Sequence, residues 1–293
     1  MLKFKVLNSE AGRRIDLYLT SKITDLSRSH IQKLFAMDKI LVNSKPYPAR
    51  YKLKSGDNIT VNFETQSSRV PEINIQTIYE DNECIVINKP VGVLTHSKGS
   101  FNPEATVATW LAPKLRDLSG ERGGIVHRLD RATSGVMICA KTDEALKYLQ
   151  KQFSQRKVKK TYLAIIEGEL SQKEAIINMP IERNPKHPST FRPGPNGKEA
   201  ITKYKVVSEN NNYCLVELMP TTGRTHQLRV HLKAINHPIV GDSFYGGKAY
   251  DRLMLHASSL EITLPNKKRK IFKASTPKEF NMLINKEAGL PNE

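Results

Sequence analysis

The chain has 293 residues, of which 39% are hydrophobic, and a formal net charge of +17. That is enough apolar material for one large domain and a small one, and so large a cationic excess points to a polyanionic partner. No apolar run approaches the roughly 18 residues that span a bilayer, and Met1-Leu2-Lys3-Phe4-Lys5-Val6 has no signal-peptide core, so nucleic acid is favoured over anionic membrane.

Gly12 to Leu19 opens a short amphipathic helix, with Ile15 and Leu19 one turn apart. Ser27 is placed to cap a second helix from Arg28 to about Asp38, whose apolar face is Ile31, Leu34 and Phe35. Ile40-Leu41-Val42-Asn43 reads as a strand, Ser55-Gly56-Asp57 as a turn, and Ile59, Val61 and Phe63 alternate as in a half-buried strand. Basic residues dominate this unit, among them Arg14, Arg28 and Lys33. Their clustering is the footprint of phosphate binding, although a solvated surface carries such charges too. Glu64 to Pro71 is polar without apolar period. The expected division is a small unit at 1–65, a linker at 66–75 and a large domain at 76–293.

From Ile73 the pattern is strand-like, and Cys84 to Asn88 is a buried strand ending in the turn Lys89-Pro90-Val91-Gly92. Lys89 is there either a surface turn lysine or a site residue. Thr106 to Leu115 reads as a helix. Next comes His127-Arg128-Leu129-Asp130-Arg131-Ala132-Thr133-Ser134-Gly135, a carboxylate between two arginines, followed by the apolar run Val136 to Ala140. A loop held by a buried strand is where catalytic groups are often placed. Flanking arginines favour an ionised carboxylate ready to act as a nucleophile, although incidental Asp–Arg pairs in a loop look the same.

Thr142 is placed to cap a helix from Asp143 to about Ser154, with Ala145, Leu149 and Phe153 as its buried stripe. The basic run Arg156 to Lys160 leads into a strand from Lys160 to Gly168. Tyr162 within it reads, on pattern alone, as core packing. Glu182 to Gly197 is rich in proline and glycine. It is expected to be a long irregular loop that touches RNA through Arg183, Lys186 and Arg192. Strands resume at Ala200 to Val207 and Tyr213 to Leu218. Thr222-Gly223-Arg224-Thr225-His226-Gln227-Leu228-Arg229 then enters a helix with the stripe Leu228, Leu232 and Ile235, leaving His226, Arg229 and Lys233 on another face. Lys267 to Lys270 reads as a solvated hairpin tip. Cys84, Cys139 and Cys214 lie far apart, with neither metal spacing nor a disulfide framework, which suits a reducing cytoplasm.

In its literal order, His127 to Gly135 resembles the catalytic motif of the RluA-type pseudouridine synthases. The Lys89-Pro90-Val91-Gly92 turn is similar to that family's first motif, with valine in place of a smaller residue. Lys160-Thr161-Tyr162 is similar to its second motif, and Thr222 to Asp242 to its third. Arg14-Ile15-Asp16, Leu26 to Ile31, Ile40 to Asn43 and Leu53 to Asp57 resemble the RNA-binding module named for the fourth small-subunit ribosomal protein.

The resemblance implies an α+β chain: a large catalytic domain around a mixed, mostly antiparallel sheet, with a small N-terminal α/β RNA-binding module. It implies isomerisation of uridine to pseudouridine in RNA, without metal, redox partner or small-molecule cofactor. Asp130 would be the nucleophile, at ribose or base. Tyr162 would stack on the target base and assist proton removal, and Arg128 would fill the gap left when the uridine leaves its stack. Arg229 is expected to pair with Asp130 in preference to Arg224, because a helix holds a side chain more rigidly than the preceding loop. Arg131, Arg224, His226, Lys89, Arg14, Arg28 and Lys33 are the further expected RNA contacts. Large-subunit ribosomal RNA is the first choice of substrate, transfer RNA the second, and a monomer is expected. Two other classes stay open: a non-catalytic RNA-binding or ribosome-assembly factor with the same fold, and a carbohydrate hydrolase, for which no motif places a second acid.

Overall fold

The computed structural model describes residues 1–23, 26, 28–62, 72–97, 104–115, 118 and 123–285. Ser27 and Phe63, the expected cap and strand residue, and the linker stretch Glu64 to Pro71 lie outside the described residues. Two compact units form, one from 1–71 with 97–104 and one from 72–96 with 105–293.

In the smaller unit, β1 (Leu2–Lys5), α1 (Ile15–Lys22), α2 (Arg28–Ala36), β2 (Ile40–Val42), β3 (Lys45–Pro46) and β4 (Asn58–Val61) make two helices over a sheet of order β1-β4-β2-β3. Ile15, Leu19, Ile31 and Leu34 from the helices pack on Ile40, Val42, Ile59 and Val61 from the strands. The strand β1, absent from the expected pattern, pairs antiparallel with β4 while exposing Leu2.

The larger unit contains β5 (Gln76–Glu80), β6 (Cys84–Lys89), α3 (Val107–Leu111), β7 (Ser134–Ala140), α4 (Asp143–Ser154), β8 (Lys159–Glu167), β9 (Glu174–Asn178), β10 (Ile181–Arg183), β11 (Phe191–Pro193), β12 (Ile201–Glu209), β13 (Tyr213–Pro220), α5 (Gln227–Ala234), β14 (Leu255–Thr263), β15 (Arg269–Lys273) and α6 (Lys278–Asn285). Its nine-stranded sheet runs β5-β6-β7-β14-β8-β13-β12-β9, with β15 on β14. Every pairing is antiparallel except β7 with β14, so the sheet is mixed and mostly antiparallel, as expected. Strand β7 is buried along its whole length because both faces are covered, which is why it reads as an unbroken apolar run. Strand β13 alternates between buried and half-buried residues. Gly135 sits where β7 meets β14: with φ +116°, a Cβ there would lie 2.2 Å from the Ala257 carbonyl oxygen. Only glycine permits that approach directly after the Asp130 loop.

Helix α4 is capped by the Thr142 hydroxyl, which accepts from the Ala145 N–H at 3.2 Å, and buries Ala145 and Leu149 against Val136 and Ile138. The expected irregular segment 182–197 departs from expectation. Strands β10 and β11 pair as a hairpin in which Arg192 bonds Glu182 at 2.9 Å and the Arg183 guanidinium covers the Phe191 ring. Two of its three expected RNA-contacting cations are therefore engaged within the hairpin. Helix α6 also escaped the sequence pattern, yet Phe280 from it is fully buried beside Val216, Leu218 and Leu232.

Candidate active site

Asp130 follows a backbone that is pinned from beneath. The Thr95 hydroxyl donates to the Leu129 carbonyl at 2.8 Å and receives the Leu129 N–H at 3.3 Å. The Gly92 N–H donates to the Arg131 carbonyl at 2.9 Å, and the Thr133 N–H to the Asp130 carbonyl at 3.0 Å. Lys89 supplies the deepest tie. It is fully buried, and its ammonium donates to the carbonyls of Pro90, Val93 and Arg131 at 2.9, 2.8 and 3.3 Å. Lys89 is therefore no RNA contact, contrary to expectation, but an internal clamp between the β6 turn and the Asp130 loop. Burial lowers its pKa to about 7, with the Asp130 charge opposing that shift.

The Asp130 side chain is 22% exposed and opens on a cavity of about 130 Å³. Tyr162 from β8, His226 and Arg229 from the start of α5, and Arg128 and Arg224 from loops line the same cavity. Two nitrogens face the Asp130 Oδ2, Arg229 Nη1 and His226 Nε2, each at 3.9 Å. Those distances allow electrostatic attraction but are too long for hydrogen bonds. Two unit charges 4 Å apart attract by about 4 kcal/mol at an effective dielectric of about 20, before solvation is counted.

The Arg229 fork itself is spent elsewhere. Its Nε and Nη2 donate to the two Asp242 carboxylate oxygens, each at 2.7 Å, and the Asp242 side chain is wholly buried. Of the two arginines, Arg229 is the one that faces Asp130, as expected, but with Nη1 alone, because Asp242 holds its fork. Burial alone would lower the Arg229 pKa, but the Asp242 bonds and the two carboxylate charges raise it. Phe244 and Tyr245 lie 5.4 and 5.0 Å from the guanidinium, as cation–π partners. Arg224 is directed away, its Nε donating to the Glu199 carbonyl at 2.9 Å. The loop carrying it is tied down by Gln227, whose amide oxygen accepts from the Thr222 hydroxyl and the Arg224 N–H. This loop reaches to residue 226, so the helix starts later than the sequence pattern suggested.

The Tyr162 phenol is pushed up from its ordinary pKa by burial and then by the Asp130 charge, so it stays neutral. Its hydroxyl makes no hydrogen bond among the described residues. Beyond Tyr162 a second cavity of about 430 Å³ continues, lined by Arg128, Arg156, Lys160 and Arg224 and, among the described residues, by no acid. Burial lowers the Lys160 pKa to about 8, and its ammonium donates to the Thr222 carbonyl at 3.1 Å. Arg128 and Arg131 are exposed at the rim of the loop. In the smaller unit, Arg14 and Arg28 pair with the buried Asp16 at 3.0 and 3.2 Å while remaining about half exposed; Lys33 is exposed at the last turn of α2.

Asp242, Thr95 and Asp16 were not singled out from sequence. For Asp242 a signal existed: between Thr222 and Leu260 the acids are Asp242 and Asp251 alone, and an arginine in a buried helix face requires a carboxylate.

The RNA pseudouridylate synthase family profile matches residues 83–234. The chain is 34% identical to ribosomal large subunit pseudouridine synthase C of Vibrio parahaemolyticus over 278 residues, 87% of this chain and 86% of that one. It is 35% identical to ribosomal large subunit pseudouridine synthase D of Borreliella burgdorferi over 293 residues, 94% and 90% of the two chains. Among solved structures, human RNA pseudouridylate synthase domain containing 4 superposes with a TM-score of 0.60 at 27% identity, over 74% of this chain and 95% of that one.

Proposed function

The chain belongs to the RluA-type RNA pseudouridylate synthases, isomerases that act on RNA, and on that premise we propose that it converts specific uridines of large-subunit ribosomal RNA, with Asp130 as the reacting carboxylate. The observation that carries this reading is a single cavity in which Asp130 stands among Tyr162, His226 and Arg229. The relatives named for the ribosomal large subunit favour that RNA as the substrate.

The reaction breaks the bond from uracil N1 to ribose C1′, turns the base, and joins C5 to C1′. The hydrogen on C5 is lost and N1 gains one, so substrate and product have the same atoms. A base stacked in a helix hides these atoms, and the target nucleotide must be extruded into the pocket. Asp130 acts as the nucleophile, on the ribose or on the base. The Arg229 Nη1, held in direction by Asp242, faces the carboxylate and attracts it. Tyr162 offers the base a ring face and a neutral hydroxyl without a hydrogen-bond partner among the described residues, suited to proton handling at the turned uracil. Arg128, exposed at the mouth, takes the space the base leaves, and Arg131, Arg224 and His226 line the path of the strand. The unit of residues 1–65 adds affinity through Arg14, Arg28 and Lys33.

The test is tritium release from C5-labelled uridine in an unmodified large-subunit ribosomal RNA transcript, with mapping of pseudouridines in cells lacking the protein. Asp130→Asn should bind the transcript and release no tritium. Turnover near wild type in that variant rejects the assignment of Asp130, and unchanged pseudouridine maps reject the substrate.

A further inference from the structure

His226 has a backbone φ of 56° at the entrance to α5, a left-handed conformation that residues other than glycine adopt only when their surroundings hold them there. Its ring faces a different partner at each nitrogen. The Nε2 faces Asp130 Oδ2 at 3.9 Å, and the Nδ1 lies 2.9 Å from the Tyr245 hydroxyl. That hydroxyl accepts the Phe191 N–H at 3.0 Å, a donor that belongs to β11 of the hairpin. Among the described residues it has no third hydrogen-bond partner.

These contacts decide where the protons sit. The phenol oxygen accepts from Phe191, and the phenol's own proton has one acceptor within reach, His226 Nδ1. The Nδ1 is therefore bare, and the hydrogen is on Nε2, turned towards Asp130. The opposite tautomer would aim two N–H groups at one phenol oxygen and leave the phenol proton without an acceptor. The charged groups acting on the ring are Asp130 and Arg128 on the catalytic loop, Arg229 on α5, and Asp242. Burial holds the His226 pKa below its ordinary value against the pull of Asp130, so the ring is neutral near pH 7. Burial likewise keeps Tyr245 a phenol.

We propose that Tyr245 and His226 are positioning residues for Asp130, with the Phe191 N–H of the hairpin as the fixed end of the relay. The relay presents an N–H to the carboxylate without adding a second cation to the pocket. An imidazolium there would neutralise the nucleophile, and the other tautomer would turn a lone pair against it. Because the relay begins on the backbone of β11, the hairpin belongs to the scaffold of the site. The proposal rests on Asp130 being the reacting carboxylate.

The experiment uses the full chain with Tyr245→Phe, which removes one oxygen and keeps the ring beside Arg229. Long-range proton–nitrogen correlation spectra of histidine-labelled protein report the tautomer directly. Wild-type His226 should be the Nε2–H form, and Tyr245→Phe should lose that preference. Single-turnover tritium release from the large-subunit ribosomal RNA transcript should fall about tenfold, the effect of one such hydrogen bond, with RNA affinity unchanged. His226→Gln, which keeps an amide N–H near the Nε2 position, should retain more rate than the shorter His226→Asn. A wild-type Nδ1–H tautomer, or a Tyr245→Phe protein unchanged in tautomer and rate, overturns the proposal. An active Asp130→Asn or an unreactive transcript would instead overturn the functional reading, while the spectra still decide the relay.

Discussion

Asp242→Asn removes a charge without removing a shape. The asparagine oxygen still accepts the N–H groups of Phe244 and Tyr245, which reach Asp242 Oδ1 at 3.2 and 3.3 Å. Towards Arg229, however, an amide nitrogen replaces a carboxylate oxygen, so two donors face each other where a 2.7 Å bond stood. Arg229 is only 4% exposed, and water cannot replace the lost partner. Removing one member of a buried ion pair costs about 3–5 kcal/mol. At about 2–4 °C per kcal/mol for a domain of this size, the melting temperature should fall by roughly 6–20 °C. The freed fork should also turn to Asp130 and tie up the carboxylate proposed to react, so single-turnover tritium release should fall as well. Arg229→Met added to Asp242→Asn removes the stranded cation and should recover part of the melting temperature but none of the rate. Scanning calorimetry and single-turnover kinetics on the three proteins decide the matter. An Asp242→Asn protein that melts with wild type, or a double variant less stable than the single one, would show that the Arg229–Asp242 pair does not hold this corner together.

Three further outcomes are expected. Tyr162→Phe should bind RNA normally, because the ring still stacks, yet slow tritium release by roughly 100-fold or more; an unchanged single-turnover rate would reduce Tyr162 to a stacking residue. Arg229→Lys loses both the fork on Asp242 and the Nη1 beside Asp130 and should be nearly inactive, whereas Arg224→Lys should alter mainly RNA affinity; the reverse order of activities would exchange their roles. Lys33→Ala should lower the slope of RNA affinity against salt by about 0.7–0.9 without changing the melting temperature, while Arg28→Ala should lower both, because Arg28 also neutralises the buried Asp16; equal melting temperatures for the two would contradict that distinction.

Local chemistry made much of this protein readable in the chain. The strands β6 and β7 carry the apolar runs Cys84 to Ile87 and Val136 to Ala140 because both their faces are covered there, and α4 carries its cap and its stripe in plain order. The Asp130 segment stands out because its residues are contiguous and their order is specific. Other features depend on contacts between distant residues. Lys89 reads either as a turn lysine or as an RNA contact, and the approach of the Arg131 carbonyl, 42 residues away, makes it a buried clamp instead. The segment 182–197 looks irregular because prolines and glycines mask two three-residue strands whose pairing comes from register across a turn. Arg229 could be placed on a helix and paired with Asp130, but its stronger partner Asp242 was missed, since the two distances, 2.7 Å to Asp242 and 3.9 Å to Asp130, are set by how the chain after α5 folds back. Sequence by itself named Asp130, Tyr162, His226 and Arg229 as candidates for the site but not Asp242 or Thr95. Tertiary structure decided which of them touch, because a charge buried with its partner is indifferent to separation along the chain and sensitive to an ångström in space.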